Sequence, residues 1–461
     1  MAAEQPRVFW SSRLVFLLAA VGSAVGLGNI WKFPYTAGAN GGAVFVIIYV
    51  VIVALIIAPI LMAELMIGRM GHKSPILTLQ TLVGRIDAKR AWTVIGWLGV
   101  LIGFIVLSYF SVIAGWAAAF VGYTASGMFS GAAPGDTVRM FEGFLARPGR
   151  LVFWNGLFMG LTVFVVARGV NRGIEKVALW LMPPLFGILV LLVIYGAAVG
   201  NFAAAWDFLF AFDIGEVSAT TILAALGQAF LSNSVAMGIM LVYGSYMRAD
   251  MSLGRSAFMI TGTDTLVALT AGLAIFPLVF AYGLQPTEGP GLIFMTLPVA
   301  FGQMPGGQII GTLFFLLLSI AALTSTISLL EPLVSYLEER RGAKRPVMAV
   351  LGGIAAFIVG LAPIFSFNLW ADVNPLGWLS GFQDKSVFDV IDFVTSSLLL
   401  PISGLLITLF AGWVLSTETT RTELKAGAPL LFDAWRFVVR FAAPAALLAI
   451  LGYNIAGALG G

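Results

Sequence analysis

Apolar runs long enough to cross a bilayer recur along the chain between short polar connectors. Hydropathy windows predict eleven membrane-spanning helices, over roughly 12–37, 42–69, 92–125, 151–168, 174–199, 218–246, 256–284, 307–337, 346–367, 388–415 and 429–455. Two of these runs are interrupted. In the first, Gly22-Ser23-Ala24-Val25-Gly26-Leu27-Gly28-Asn29 carries three closely spaced glycines, each costing roughly 1 kcal/mol against alanine inside a helix. In the sixth, Ser232-Asn233-Ser234 lies between Gln228 and Gly238, and such side chains compete for backbone hydrogen bonds and favour unwinding. A helix broken at mid-membrane leaves backbone groups unpaired, which is tolerated only where the break lines a cavity or holds something polar. Close helix packing explains Gly22 and Gly26 at their GxxxG spacing. It explains neither Asn29 nor the second break.

The two breaks open two successive sets of five helices, 12–199 and 218–415, followed by one extra helix at 429–455. Matching interruptions in two halves predict an inverted repeat with a binding site between the halves, the whole of 1–461 forming one transporter domain. Half-helix N-termini favour anionic groups and C-terminal carbonyls favour cations, which suits a zwitterion accompanied by sodium. The apolar segment from Pro286 to Gly311 is punctuated by prolines and glycines. It reads as a re-entrant or hairpin external loop rather than a further crossing.

Composition agrees with the pattern. Of 461 residues, 60% are hydrophobic and 10% charged, and the mean hydropathy is +0.99, far from the values of soluble domains. The chain is expected to be an all-α, multi-pass protein of the cell's inner (plasma) membrane, surrounded by lipid. No cleavable signal peptide is expected, because the first apolar run is too long and lacks a small-residue cleavage site. Zero cysteines exclude disulfides and thiolate metal sites. The lone histidine, His72, reads as a solvated loop residue. With the N-terminus inside, only Lys32, Arg139, Arg147, Arg150 and Lys385 fall outside, and the other 20 of the 25 Lys and Arg lie on the inner face, which fixes that orientation. No nucleic-acid partner is expected. An enzyme is disfavoured by the lack of a Walker-type loop, a His/Cys metal cluster or an activated nucleophile.

Polar residues inside the spans are candidates for function. Span eight carries Thr324, Ser325, Thr326 and Ser328, whose hydroxyls either bond back to the preceding turn or join carbonyls of the first break in a cage of hard oxygens. Asp264 falls near mid-membrane and costs several kcal/mol unless paired, protonated or next to a metal ion. Glu331 is a further intramembrane carboxylate. Lys32 and Asp392 form a candidate outer latch, and Arg7 with Glu338 and Glu339 an inner one. Exposed ion pairs contribute about 0–1 kcal/mol, which suits contacts that open in every cycle.

Together these residues resemble the neurotransmitter:sodium symporter family in its bacterial amino-acid branch. The resemblance rests on Arg7…Trp10, Gly22–Asn29 followed by Trp31-Lys32-Phe33-Pro34, Asn40-Gly41-Gly42, Gly227-Gln228, and Leu323-Thr324-Ser325 ahead of Pro332. It implies a LeuT-type fold, a five-plus-five inverted repeat with one extra helix, and alternating access driven by sodium. The first sodium site would use the Ala24 carbonyl, Asn29, Ser232 and Asp264. The second would use the carbonyls of Gly22, Val25 and Ala321 with the hydroxyls of Thr324 and Ser325. The substrate pocket would comprise Ser23, Ala24, Gly26, Leu27, Gly28, Val106, Phe110, Leu231, Ser232, Asn233, Ser234, Met237, Ser325 and Leu329. Tyr246 would join the gates formed by Lys32, Asp392, Arg7 and Glu339.

Departures from the family pattern shape the expected chemistry. Tyr49, Gln228 and Ser232 match positions that surround chloride in animal relatives, but Ala268 replaces the serine of that anion site. Asp264, one helical turn earlier, replaces the usual asparagine and supplies a fixed negative charge, so chloride independence is expected. Phe110 stands where a tyrosine hydroxyl usually binds the substrate carboxylate, and Tyr109 lies about 100° around the helix. Leu231 replaces an aromatic lid, and Asn233 is polar for its place. Gly26 stands where monoamine carriers have aspartate, so the substrate is expected to bring its own acid group. That favours an amino acid or a related zwitterion, including a β- or γ-amino or sulfonic acid. A proton-coupled carrier with Asp264 as the titrating group is the alternative. Oligomeric state is not legible.

Overall fold

The computed structural model describes residues 8–213, 215, 217–286, 291–425 and 429–459, and these are built from helices, with no strand among them. In chain order the helices are α1 (Arg13–Ala24), α2 (Gly28–Ala39), α3 (Ala43–Gly71), α4 (Pro75–Arg85), α5 (Arg90–Ala125), α6 (Pro134–Leu145), α7 (Pro148–Ala167), α8 (Val170–Val199), α9 (Phe202–Phe210), α10 (Ala219–Ser232), α11 (Ile239–Ser245), α12 (Leu253–Ala281), α13 (Leu292–Gln303), α14 (Gly307–Arg341), α15 (Arg345–Ser366), α16 (Val387–Val414), α17 (Thr417–Leu424) and α18 (Pro429–Leu459). Starts follow local rules. Ser12, Ser218 and Ser252 accept backbone N–H bonds at the starts of α1, α10 and α12. Proline opens α4, α6 and α7 in the first turn, where its missing N–H costs nothing.

Among the described residues nine helices are long and apolar enough to cross a membrane, and the bent pair α1–α2 makes a tenth candidate. The predicted sixth span is divided between α10 and α11. The Pro286–Gly311 segment holds the short helix α13, too short to span, in line with the external-loop reading; residues 287–290 lie outside the described residues. The structure adds α4, α6, α9 and α17, short surface helices that the hydropathy windows pass over.

The long helices α5 and α14 pack along one another at the centre, and α1 lies among α8, α12 and α14. Helix α2 rests on α10 and α12, and α11 packs on α3. At that last contact backbones nearly touch: a β-carbon on Gly68 would lie 2.1 Å from the Leu241 carbonyl oxygen. Overpacking of this kind costs about 1–3 kcal/mol, so Gly68→Ala is expected to lower the thermal midpoint of the purified protein. An unchanged midpoint would show that the α3–α11 contact is looser than described.

His72 is not a solvated loop residue. It ends α3 in the left-handed conformation at φ 50°. Its Nδ1 lies 2.9 Å from the Ser245 carbonyl oxygen, and its ring meets Phe9 edge-on at 5.7 Å. Only the spatial return of α11 supplies that partner.

Candidate functional site

The first break is narrower than the glycine pattern suggests. Helix α1 continues through Ala24, the chain turns out at Val25 (φ −68°, ψ 100°), and α2 starts at Gly28 after a 47° bend. Gly22 stays helical and serves packing: a β-carbon there would lie 2.8 Å from the Met182 sulfur. Gly26 and Gly28 belong to the turn. A β-carbon on Gly26 would lie 2.3 Å from Ser325 Oγ, and one on Gly28 would lie 3.0 Å from Ser232 Cα.

The second break is wider. Helix α10 ends at Ser232, and the chain passes Ser234 (φ 52°), Ala236 (φ 69°) and Gly238 (φ 75°) before α11 begins. Non-glycine residues with positive φ cost of order 1–3 kcal/mol each and persist where surroundings over-determine them. Here the Ala236 N–H donates to Glu64 Oε1 at 2.9 Å, and Ser403 Oγ donates to the Ala236 carbonyl at 2.9 Å. Asn233 Nδ2 donates to the Ala229 carbonyl at 3.0 Å, partly satisfying the end of α10. Glu64 is fully buried, and its Oε2 has no hydrogen-bond partner among the described residues. Sequence reading missed it, although it is the one carboxylate in the apolar stretch of α3 and the rule that flagged Asp264 applies equally to it.

Asp264 joins the two breaks. It is completely buried on α12. Its Oδ1 accepts from Asn29 Nδ2 at 2.8 Å, while its Oδ2 accepts from Ser232 Oγ at 3.0 Å and Tyr49 OH at 3.3 Å. Asn29 Nδ2 also reaches the Asp264 carbonyl at 3.0 Å, and Asn29 Oδ1 accepts from the Gly26 N–H at 3.2 Å. Gln228 Nε2 donates to the Gly28 carbonyl at 2.7 Å, tying α10 to the first break. Among the described residues no basic side chain forms an ion pair with Asp264. Neutral donors stabilise a buried carboxylate without cancelling its charge, and a cation completes such a site. Carbonyl, carboxylate and hydroxyl oxygens of this kind suit a small hard ion.

The span-eight hydroxyls do bond back to their own helix. Thr324 Oγ1 donates to the Ala321 carbonyl at 3.0 Å, Ser325 Oγ to the same oxygen at 3.1 Å, and Ser328 Oγ to the Thr324 carbonyl at 2.9 Å. Each keeps acceptor lone pairs. Ser325 Oγ also lies 3.3 Å from the Ser23 carbonyl, which accepts from Ser234 Oγ at 3.0 Å, so α14 and both breaks meet there. Ser23 Oγ and Asn233 Oδ1 are buried without a hydrogen-bond partner among the described residues. Ala24, Val25, Leu27, Val106, Met237, Ala321 and Leu329 are buried in the same core.

Outside this core a cavity of about 200 Å³ is lined by Gly28, Trp31, Lys32, Tyr35, Tyr109, Phe110, Leu231, Phe388, Asp389 and Asp392. Lys32 Nζ stands 3.5 Å from Asp392 Oδ2, as the outer latch requires. Tyr109 OH donates to Asp392 Oδ1 at 3.1 Å, so the hydroxyl beside Phe110 is turned to the Lys32–Asp392 pair.

The carboxylates of the expected inner latch have partners among the described residues. Glu339 accepts the Ser74 N–H, at 3.0 and 2.9 Å to its two oxygens, at the positive N-terminus of α4. Glu338 pairs with Arg345 at 3.1 Å, and Arg345 also pairs with the buried Glu331. Tyr246 OH donates to Glu331 Oε1 at 2.8 Å, and its carbonyl accepts the Trp10 N–H at 3.1 Å. The carboxylates expected to face Arg7 thus have partners just before α4 and at the start of α15, brought near by the fold; Arg7 lies outside the described residues.

The sodium:neurotransmitter symporter family profile matches residues 7–130 and 143–376. The chain is 37% identical to YhdH, a sodium-dependent transporter of Bacillus subtilis (strain 168), covering 99% of each chain. It is 29% identical to a sodium-dependent transporter of Haemophilus influenzae, over 98% of this chain and 99% of the relative. Among solved structures, MhsT in complex with L-phenylalanine superposes with a TM-score of 0.89 at 39% identity, covering 97% of this chain and 100% of that one.

Proposed function

Since the chain belongs to the sodium:neurotransmitter symporter family, and is thus a multi-pass sodium-dependent transporter of LeuT-type fold, we propose that it imports an amino acid or closely related zwitterion. The observation that carries this reading is the buried Asp264 carboxylate facing two broken helices, with no basic side chain paired to it among the described residues.

Two sodium ions are co-substrates. One takes the Ala24 carbonyl, Asn29, Ser232 and Asp264. The other takes the carbonyls of Gly22, Val25 and Ala321 with the hydroxyls of Thr324 and Ser325. The unpartnered Ser23 Oγ and Asn233 Oδ1 leave polar atoms for a bound substrate. With glycine at position 26, no acid there meets an amine, and the substrate's own carboxylate serves beside sodium. The phenylalanine complex of MhsT supports an amino-acid substrate. Residues 12–199 and 218–415 act as the two repeats in the plasma membrane. The Lys32–Asp392–Tyr109 contacts close the outer path, and the Tyr246–Glu331–Arg345 contacts close the inner one, so breaking each in turn gives alternating access.

Asp264 makes chloride unnecessary. Its Oδ2 stands against both Tyr49 OH and Ser232 Oγ, which bond each other at 2.8 Å, and a second anion beside a fixed carboxylate is repelled. Uptake into proteoliposomes is expected to be unchanged when chloride is replaced by gluconate, whereas an obligatory chloride requirement contradicts the reading. Proton coupling through Asp264 is the rival. It predicts uptake driven by a pH gradient without sodium.

Phe110 tests the substrate. Phe110→Tyr restores a hydroxyl at the edge of the outer cavity and is expected to change the substrate spectrum measured by competition uptake. A single polar contact is worth about 0.5–1.5 kcal/mol, or up to roughly tenfold in apparent affinity. Identical kinetics for every substrate would remove Phe110 from the pocket.

A further inference from the structure

At the inner face the starts of α1 and α12 meet around an open cavity of about 370 Å³, lined by none of the residues proposed above for substrate, sodium or gates. Its lining includes Ser12, Arg13, Arg248, Asp250, Ser252 and Arg255. Among the described residues three guanidinium groups line it with one carboxylate, Asp250, which pairs with Arg248 at 3.4 Å; Glu175, behind the lining, accepts the Ser11 N–H at 2.8 Å and the Asn171 amide at 3.0 Å. Arg13 turns Nη2 to the Met259 thioether at 3.5 Å, and its buried Nε has no hydrogen-bond partner among the described residues. A thioether is a weak acceptor, and among the described residues this cation forms no ion pair. Arg255 forms no ion pair among the described residues either. Ser12 and Ser252 cap helices of 12 and 29 residues, whose positive ends open to the same space.

Excess positive charge from side chains and from two helix ends repels sodium and suits an anion with several oxygens. The surroundings identify the anion. Leu14 beside Arg13, Phe258 one turn from Arg255, and Met259 are exposed apolar side chains on membrane-crossing helices. Charge thus stands at the boundary of an acyl-chain surface, the arrangement that recognises an anionic headgroup. We propose that this cavity binds the phosphate of an anionic phospholipid of the inner leaflet, bridging α1 to α12.

The test uses the purified full-length protein in detergent, with thermal midpoint and native mass spectrometry as readouts. Dioleoylphosphatidylglycerol is expected to raise the midpoint and to remain bound. The variant Arg13→Gln/Arg255→Gln is expected to bind it about thirtyfold more weakly, since each of the two basic residues contributes about 1 kcal/mol near an anionic surface and each 1.4 kcal/mol is tenfold. The outer-face control Arg139→Gln/Arg150→Gln is expected to bind it as the parent does. If the double variant does not fold, Arg255→Gln alone, with its exposed side chain, is expected to show a smaller loss of the same kind. Unchanged binding in the variant that folds overturns the proposal. An equal response to dioleoylphosphatidylcholine overturns it as well, because the site then does not select anionic lipid. Inorganic phosphate matching the lipid at equal concentration overturns the lipid assignment in favour of a free-anion site.

Discussion

Asp264→Asn is expected to abolish sodium-driven uptake and to erase the rise in thermal midpoint that sodium gives the parent protein. The amide keeps the size of the carboxylate but removes the charge that a cation would balance, and its NH2 group takes the place of one acceptor, either Oδ1 facing the Asn29 amide or Oδ2 facing the Ser232 and Tyr49 hydroxyls. Removing one partner of a buried charge pair costs about 3–5 kcal/mol, and each 1.4 kcal/mol is tenfold in affinity, so sodium affinity at this site should fall roughly a hundredfold or more. Without sodium the order of stability reverses. A buried carboxylate with no cation is costly, so the asparagine variant should unfold no earlier than the parent in choline buffer. Ligand linkage makes the comparison direct, because only an ion that binds the folded state raises the midpoint. A variant with a full sodium-dependent rise would mean that Asp264 holds structure and not the ion.

Gly26→Ala should produce a folded protein that does not transport. Gly26 lies in the turn of the first break, and its backbone dihedral is not in the glycine-favouring region, so alanine imposes no backbone strain. The added methyl would lie 2.3 Å from Ser325 Oγ and 3.3 Å from Ser325 Cβ. The hydroxyl must rotate away, losing its contact with the Ser23 carbonyl at 3.3 Å and its place among the oxygens that join α14 to both breaks. Uptake is expected to fall at least about a hundredfold, since roughly 1 Å of misplacement in a site can cost that much. The thermal midpoint should move little. Contacting residues are not additive: in a Ser325→Ala background, itself impaired, the added Gly26→Ala change should cost much less. Full additivity would place the loss elsewhere.

How much the sequence conveyed depended on how local each cause was. The first break announces itself because three glycines and an asparagine interrupt an apolar helix, and Asp264 because a carboxylate in hydrocarbon needs a reason. Lys32 and Asp392 carry opposite charge on one side of the membrane, and they meet. Glu64 obeys the same rule as Asp264, yet its partner is the N–H of Ala236 in the second break, a pairing no local pattern contains. The GxxxG spacing offers packing for Gly22 and Gly26 alike, and only their neighbours separate them: Met182 lies against Gly22, whereas Gly26 lies in the turn against Ser325. Glu338 and Glu339 stand side by side but face different partners, Arg345 and Ser74, because successive helical residues point about 100° apart. Short surface helices such as α4 and α17 leave little trace in a hydropathy window, because their length is far below that of a span.

Sodium-coupled uptake of an amino acid is the central claim, and proteoliposome transport tests it most directly. Vesicles loaded with potassium buffer are diluted into sodium or potassium, with chloride or gluconate as anion, and with or without an imposed pH gradient, while a panel of labelled amino acids is followed. At least one amino acid is expected to accumulate above equilibrium only with an inward sodium gradient, equally in chloride and gluconate, and in no case in the Asp264→Asn variant. Accumulation driven by the pH gradient alone, with no response to sodium, would contradict the account.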